Sequence, residues 1–295
     1  MMGNKAEPRE AATVDRDAVA KTKRKLRRTL VYIILILFTI VNAYPIFWMI
    51  MNAFKTSQDF SLNPFGLPAN WVFENFQDAW VTANIGTFFF NSVLVGAVAV
   101  LISIFSGALA AYFLSRFEFR GKKFIYGFLV IGLLIPIHAT LVPMYILMQN
   151  LGILNTYWAL IFPYVAFNLP ITVFLLTSFM SSFPKEMEES AIMDGCGVFR
   201  IFWSIILPMT RPAIATAVII NFINNWNEFA FALVLISDEA LQTLPLGLAN
   251  FAGAYTTNYP AQMAGLTLVL VPTIIFYLLM EKQIVEGMTQ GAVKG

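Results

Sequence analysis

Residues 124–184 run for 61 positions without a single Asp, Glu, Lys or Arg. An α-helix rises about 1.5 Å per residue, so roughly 20 residues cross the ~30 Å hydrocarbon core of a bilayer, and this run is too long for one crossing. It must turn. The turn is legible at Gln149-Asn150-Leu151-Gly152-Ile153-Leu154-Asn155, where amides and a glycine interrupt the apolar pattern. Further uncharged runs occupy 29–54, 79–115, 212–227 and 240–280. Only 12% of the 295 residues are charged, against about 25% in a soluble domain, so lipid is the solvent for most of the chain. The pattern predicts an all-α integral membrane protein with six transmembrane helices, at about 29–53, 87–115, 122–148, 155–180, 212–236 and 261–281. A basic tail (1–28) precedes the first helix and its following segment (29–86), the other five helices fill 87–282, and a short tail (283–295) closes the chain. Residues 1–20, polar and charged, are expected to lack order.

Orientation follows from the basic residues. With both termini in the cytoplasm, 18 of the 19 Lys and Arg fall on cytoplasmic segments, and Lys55 alone lies outside. That asymmetry is the positive-inside signature. The basic stretch TKRKLRR precedes 26 uncharged residues with no small-x-small cleavage site, which marks an uncleaved first span rather than a secretory signal. The same cluster suits a bilayer surface, and nothing in its pattern points to nucleic acid.

The chemistry available to this chain is narrow. One cysteine, Cys196, excludes an internal disulfide and any multi-cysteine metal site, and its place between Gly195 and Gly197 suggests a small packing residue. The single histidine, His138, has no partner for a nucleophilic pair or a proton relay, and no G-x-x-x-x-G-K-[ST] phosphate loop occurs. No catalytic residue, metal or bound cofactor is expected. Within the spans the ionisable residue that stands out is Glu228, in NFINNWNEFAFAL. Asn221, Asn224, Asn225 and Glu228 follow the i, i+3, i+4, i+7 spacing of one helical face. Unpartnered polar groups in hydrocarbon cost several kcal/mol each, so this stripe faces another helix or a wet path. Interhelical bonding and a solute-path lining remain equally open for the asparagines; for Glu228 a gate or path role is favoured.

The densest acidic cluster lies in EMEESAIMDGCGVFRIFWSIILPMTRP, 186–212. Pro184 suits a helix start, and Glu186, Glu188 and Glu189 then sit where the positive helix end favours carboxylates. Asp194-Gly195 supplies a stop, and a second short helix is expected from Val198 to Ile206, ended by Leu207-Pro208. The result is a helix-glycine-helix element lying along the membrane.

Glu189-Ser190-Ala191, followed by Asp194-Gly195 and closed by Ile206-Leu207-Pro208, resembles the EAA loop of ABC importer permeases. Ser190 departs from that pattern's middle alanine, small for small. LGILNTYWALIFPY at 151–164, NWNEF at 225–229 and the terminal GAVKG narrow the likeness to the smaller, MalG-like permease of maltose-type carbohydrate importers, from about residue 28 onward. The resemblance implies the type I ABC permease fold, with the EAA coupling helix (about 184–208) between spans four and five. It implies an ATPase-coupling role for Glu188, Glu189, Ser190, Ala191, Asp194, Gly195, Leu207 and Pro208. It also implies a carboxy-terminal tail (Gly291, Ala292, Val293, Lys294, Gly295) that reaches into an ABC ATPase dimer. The implied partners are a second, MalF-like permease, that ATPase with its ATP and Mg, and an extracytoplasmic sugar-binding protein meeting 54–86 and 237–260. A bacterial-type inner membrane location and sugar import follow. The rival from another class is an ion-coupled secondary transporter using Glu228; within the ABC reading, glycerol phosphate is an alternative solute.

Overall fold

A computed structural model describes residues 8–81, 84–254 and 258–292. Val293, Lys294 and Gly295 of the expected ATPase-contacting tail lie outside them. Among the described residues there is no strand.

Helix α1 (Pro8–Ala53) is a single helix of 46 residues. The expectation of disorder is therefore corrected for residues 8–20. Proline suits a first turn, Ala, Arg and Lys are strong helix formers, and extending a helix already nucleated by its apolar half costs little. Between Arg24 and Ala53 its most apolar window has a mean hydropathy of 2.3 and none of it is buried within the chain. Lipid or a neighbouring subunit must cover that surface.

The segment after α1 is built rather than loose. Helices α2 (Ser57–Leu62) and α3 (Glu74–Val81) occupy it, and the Thr56 hydroxyl caps α2 by accepting from the Asp59 N–H at 3.0 Å. Lys55, expected to lie on the outer side, is 0% exposed. Its ammonium donates to the Asn63 carbonyl at 2.6 Å, and burial lowers its pKa against the opposing pull of Asp59. The exception to the positive-inside pattern is thus a buried strut.

Helix α4 (Ile85–Arg116) and, after the turn, α7 (Tyr157–Met180) cross the molecule side by side and form its most extensive helix contact. Between them the expected single helix over 122–148 is replaced by α5 (Lys122–Ile131), a tight turn at 132–134 and α6 (Ile137–Asn150), bent by 105°. The reason is local. Pro136 disfavours helical backbone at the residue before it, and Ile135 is extended with ψ 115°.

The expected turn at 149–155 is present, with Gly152 at φ 69° and Asn155 at φ 58°. Asn155 tolerates this left-handed backbone and its Oδ1 accepts from the N–H groups of Ser237 and Asp238 at 3.0 and 2.8 Å. Asn155→Ala is therefore expected to cost about 2 kcal/mol, from the strained backbone plus two lost bonds, read as a lower unfolding temperature of the detergent-extracted chain.

Beyond α7 come α8 (Glu186–Met193), α9 (Val198–Ile201), a π-turn over 202–206, α10 (Leu207–Met209) and α11 (Arg211–Trp226). Leu207-Pro208 does not end the second short helix, which continues to Met209 before a 74° bend into α11. The wide π-turn accommodates the proline ring and its missing N–H. The expected helix over 212–236 is also interrupted: α12 (Ala230–Leu235) is separate, and residues 227–229 form a break. Helices α13 (Leu244–Ala254) and α14 (Tyr259–Ala292) complete the fold, and α14 contains the expected last span. Helices α1, α4 and α7 hold stretches long and apolar enough to cross a membrane; the α5–α6 and α9–α11 bent pairs each pass that test together.

Candidate substrate path and coupling surface

The two breaks, at 132–136 and 227–229, face one another across a cavity of about 520 Å³. α7 supplies its wall through Tyr164, Phe167 and Asn168; α11 and the second break supply Asn224, Asn225, Asn227 and Glu228; His138 of α6 lies at its edge. A cavity of this size with a few convergent polar groups among aromatic and aliphatic ones is suited to a small polar solute with apolar faces.

The sequence stripe divides on inspection. Asn221 is fully buried and its amide donates to Thr172 Oγ1 on α7 at 2.8 Å, so it acts as interhelical glue. Asn225 is 8% exposed and its Oδ1 accepts from the Asn168 amide at 3.1 Å, while its own Nδ2 is buried without a partner at the cavity wall. Asn224 is exposed. Asn225 and Asn224 therefore bring unspent polar groups to the cavity, whereas Asn221, whose Oδ1 is also without a hydrogen-bond partner, does not line it.

Glu228 sits in the break, where its position is explained by the backbone it satisfies. Oε1 accepts from the Phe231 N–H at 2.7 Å; Oε2 accepts from the Tyr164 hydroxyl at 2.8 Å and, more weakly, from the Ala232 N–H at 3.3 Å. The carboxylate caps the start of α12 and ties it to α7. An ion-coupling carboxylate must exchange its partners for a cation or proton, and both oxygens here are already committed, so the secondary-transporter alternative is not favoured. Tyr164, Asn168 and Thr172 went unremarked in the sequence, although their spacing of four in an apolar helix marks one polar face.

At the other end of α4 and α7 lies the acidic element. Helix α8 ends in a Schellman motif: Gly195 has φ 81°, its N–H donates to the Ile192 carbonyl at 2.9 Å, and the Cys196 N–H donates to the Ala191 carbonyl at 2.9 Å. Ala191 is buried and Cys196 packs against the same apolar cluster, in the role of small packing residue expected of it. Glu189, Ser190, Asp194 and Gly195 are exposed on the other side, together with Met193 and Phe199. Glu188 differs: its side chain is 14% exposed and lies 2.6 Å from Arg116. Leu207 and Pro208 sit in α10, at the bend into α11. Gly291 and Ala292 end α14.

Residues 99–288 match the family model described as binding-protein-dependent transport system inner membrane component. The chain belongs to that family. It is an inner-membrane transport component and not an enzyme, as the loop at 184–208 implied. Among its relatives, a probable ABC transporter permease protein, YurM, of Bacillus subtilis is 45% identical over 277 residues, covering 93% of this chain and 92% of that one. The diacetylchitobiose uptake system permease protein NgcG of Streptomyces coelicolor is 38% identical over 88% of this chain and 87% of its own length. A chain of a bacterial ABC transporter that imports the acidic polysaccharide alginate superposes with a TM-score of 0.76 at 22% identity, over 88% of this chain and 97% of that one. This permease therefore has the fold of an ABC importer membrane subunit.

Proposed function

We propose that this permease forms half of the transmembrane path of an ATP-driven sugar importer, with six spans and both termini in the cytoplasm. Its counterpart is a second, homologous permease; an ABC ATPase dimer, using ATP and Mg, docks against 184–208 and receives the tail 291–295; a sugar-binding protein delivers solute at 54–86 and 237–260. The observation that carries this reading is the two-sided element at 184–208. One side is packed through Ala191 and Cys196, and the other offers Glu189, Met193 and Phe199, an acidic and apolar surface left exposed by the described residues. A surface of that mixture fits a protein groove with a basic rim.

The cavity supports the solute class. Amides at Asn224 and Asn225 beside Phe167 and Phe229 match the hydroxyl edges and apolar faces of a sugar ring, and the diacetylchitobiose permease shows that a relative serves a disaccharide. Lys and Arg are absent among the described lining residues, which favours a neutral sugar over glycerol phosphate.

The test is to purify the chain from native membranes through an amino-terminal tag and measure what accompanies it and how that complex hydrolyses ATP. A second permease and a P-loop ATPase are expected. Glu189→Ala is expected to weaken retention of the ATPase and to lower sugar-stimulated hydrolysis on the order of tenfold, as for a truncated anchor residue, with membrane insertion intact. Normal stimulated hydrolysis in the variant would remove Glu189 from the docking surface.

A further inference from the structure

Arg116 ends α4, and Glu188 lies in the first turn of α8. Arg116 Nε is 2.6 Å from Glu188 Oε1, and the two side chains are 5% and 14% exposed. Nη1 of the same guanidinium donates to the Phe183 carbonyl at 3.1 Å, and the group lies 6.0 Å from the Phe183 ring centre. Ala191 is the buried residue of α8. The principal attachments of this helix to the bundle are two: a methyl group in the cluster with Tyr112, Leu176 and Phe202, and the ion pair.

The two attachments respond differently when α8 is drawn away. Dispersion contacts lose much of their attraction within about 1 Å of separation, whereas Coulomb attraction falls only as the inverse of distance and is weakly screened where water is scarce. The ion pair keeps pulling where the methyl contact has let go. Arg116 is continuous with α4, whose principal packing partner α7 carries Tyr164 and Asn168 into the cavity wall. The pair is also unsaturated: Arg116 Nη2 is buried without a partner, and the Tyr112 hydroxyl stands 3.5 Å from Glu188 Oε2. Buried groups left unspent suit a joint that trades partners between two arrangements better than a fixed staple.

We propose that Arg116 and Glu188 are positioning residues, the link through which movement of α8 is delivered to α4 and so to the cavity wall, with Glu188 transmitting and Glu189 docking. This rests on the reading of 184–208 as the ATPase contact.

The whole transporter, purified through this chain and reconstituted with its binding protein in proteoliposomes, tests the link. Glu188→Gln and Arg116→Gln are each expected to lower the ratio of binding-protein-stimulated to unstimulated hydrolysis on the order of tenfold, with the ATPase still co-purifying. The exchange Arg116→Glu with Glu188→Arg is expected to recover roughly a third or more of that ratio, as coupled neighbours do. A wild-type ratio in both single variants overturns the link. So does loss of the ATPase from either, the behaviour expected of Glu189→Ala, because Glu188 would then belong to the docking surface. Lower yield of assembled transporter with an unchanged ratio also overturns it, by showing a staple. A wild-type chain that retains no ATPase at all overturns the coupling reading itself along with the link, whereas a wild-type complex with insensitive variants overturns the link alone.

Discussion

Glu228→Ala is expected to remove about 4 kcal/mol of stability, because bonds to a charged acceptor are worth about 1.5–3 kcal/mol each and the donors left behind lie in a half-buried break. The Phe231 N–H and the Tyr164 hydroxyl lose strong acceptors at 2.7 and 2.8 Å, and the Ala232 N–H a weaker one. α12 is only six residues long, too short to persist without its cap. Once it frays, the break at 227–229 loses its shape and the cavity its second wall. Little folded protein should be recovered in detergent. Glu228→Gln separates cap from charge: its single carbonyl oxygen can serve Phe231, and the tyrosine hydroxyl can turn to accept from the new amide. It is expected to cost about 2 kcal/mol, by loss of charge assistance and of the weak acceptor for the Ala232 N–H, and to leave a folded chain whose transport rate can be measured. A fully folded Glu228→Ala chain would show that the cap is dispensable and return Glu228 to a role in the path.

The geometry at Glu228 illustrates which parts of the site the sequence carried. The stripe from Asn221 to Glu228 was visible as a helical face, but a periodicity argument assumes that the helix continues, and here it stops at Trp226. What stops it is a tertiary arrangement, a carboxylate held between a short helix and Tyr164 64 positions earlier, which no local pattern encodes. The turn at 149–155 and the glycine stop at 195 were legible because glycine and asparagine report backbone conformation directly. Pro136 was equally visible, yet prolines are common in membrane helices and mark a kink as often as a break, so the 105° bend could not be read from it. Lys55 and Arg116 looked like topology signals. Burial turned each into a structural group: a lysine capping a helix end and an arginine paired inside the fold.

Gly107→Ala is expected to cost about 3 kcal/mol, at the upper end for overpacking, because it strikes the contact on which the rest of the bundle is assembled. A β-carbon at this position would stand 2.5 Å from Thr172 Cγ2 and 3.1 Å from Thr172 Cβ. Both residues are on the rigid interiors of α4 and α7, so relief requires the helices to part. Thr172 cannot simply rotate away. Its hydroxyl donates to the Asn168 carbonyl at 2.8 Å and accepts the Asn221 amide at 2.8 Å, and Asn168 in turn holds Asn225 at the cavity wall. A single methyl group on α4 therefore disturbs the polar lattice that positions the candidate path. Thr172→Ser is the informative second change, since it deletes the offending methyl and keeps the hydroxyl in both bonds. Alone it should cost about 1 kcal/mol for the lost methyl. Combined with Gly107→Ala it should restore about half or more of the lost stability, so that the double variant unfolds at a higher temperature than Gly107→Ala alone. Additive losses in that cycle would mean that the helices part elsewhere along their length, and that the Gly107–Thr172 contact does not set their spacing.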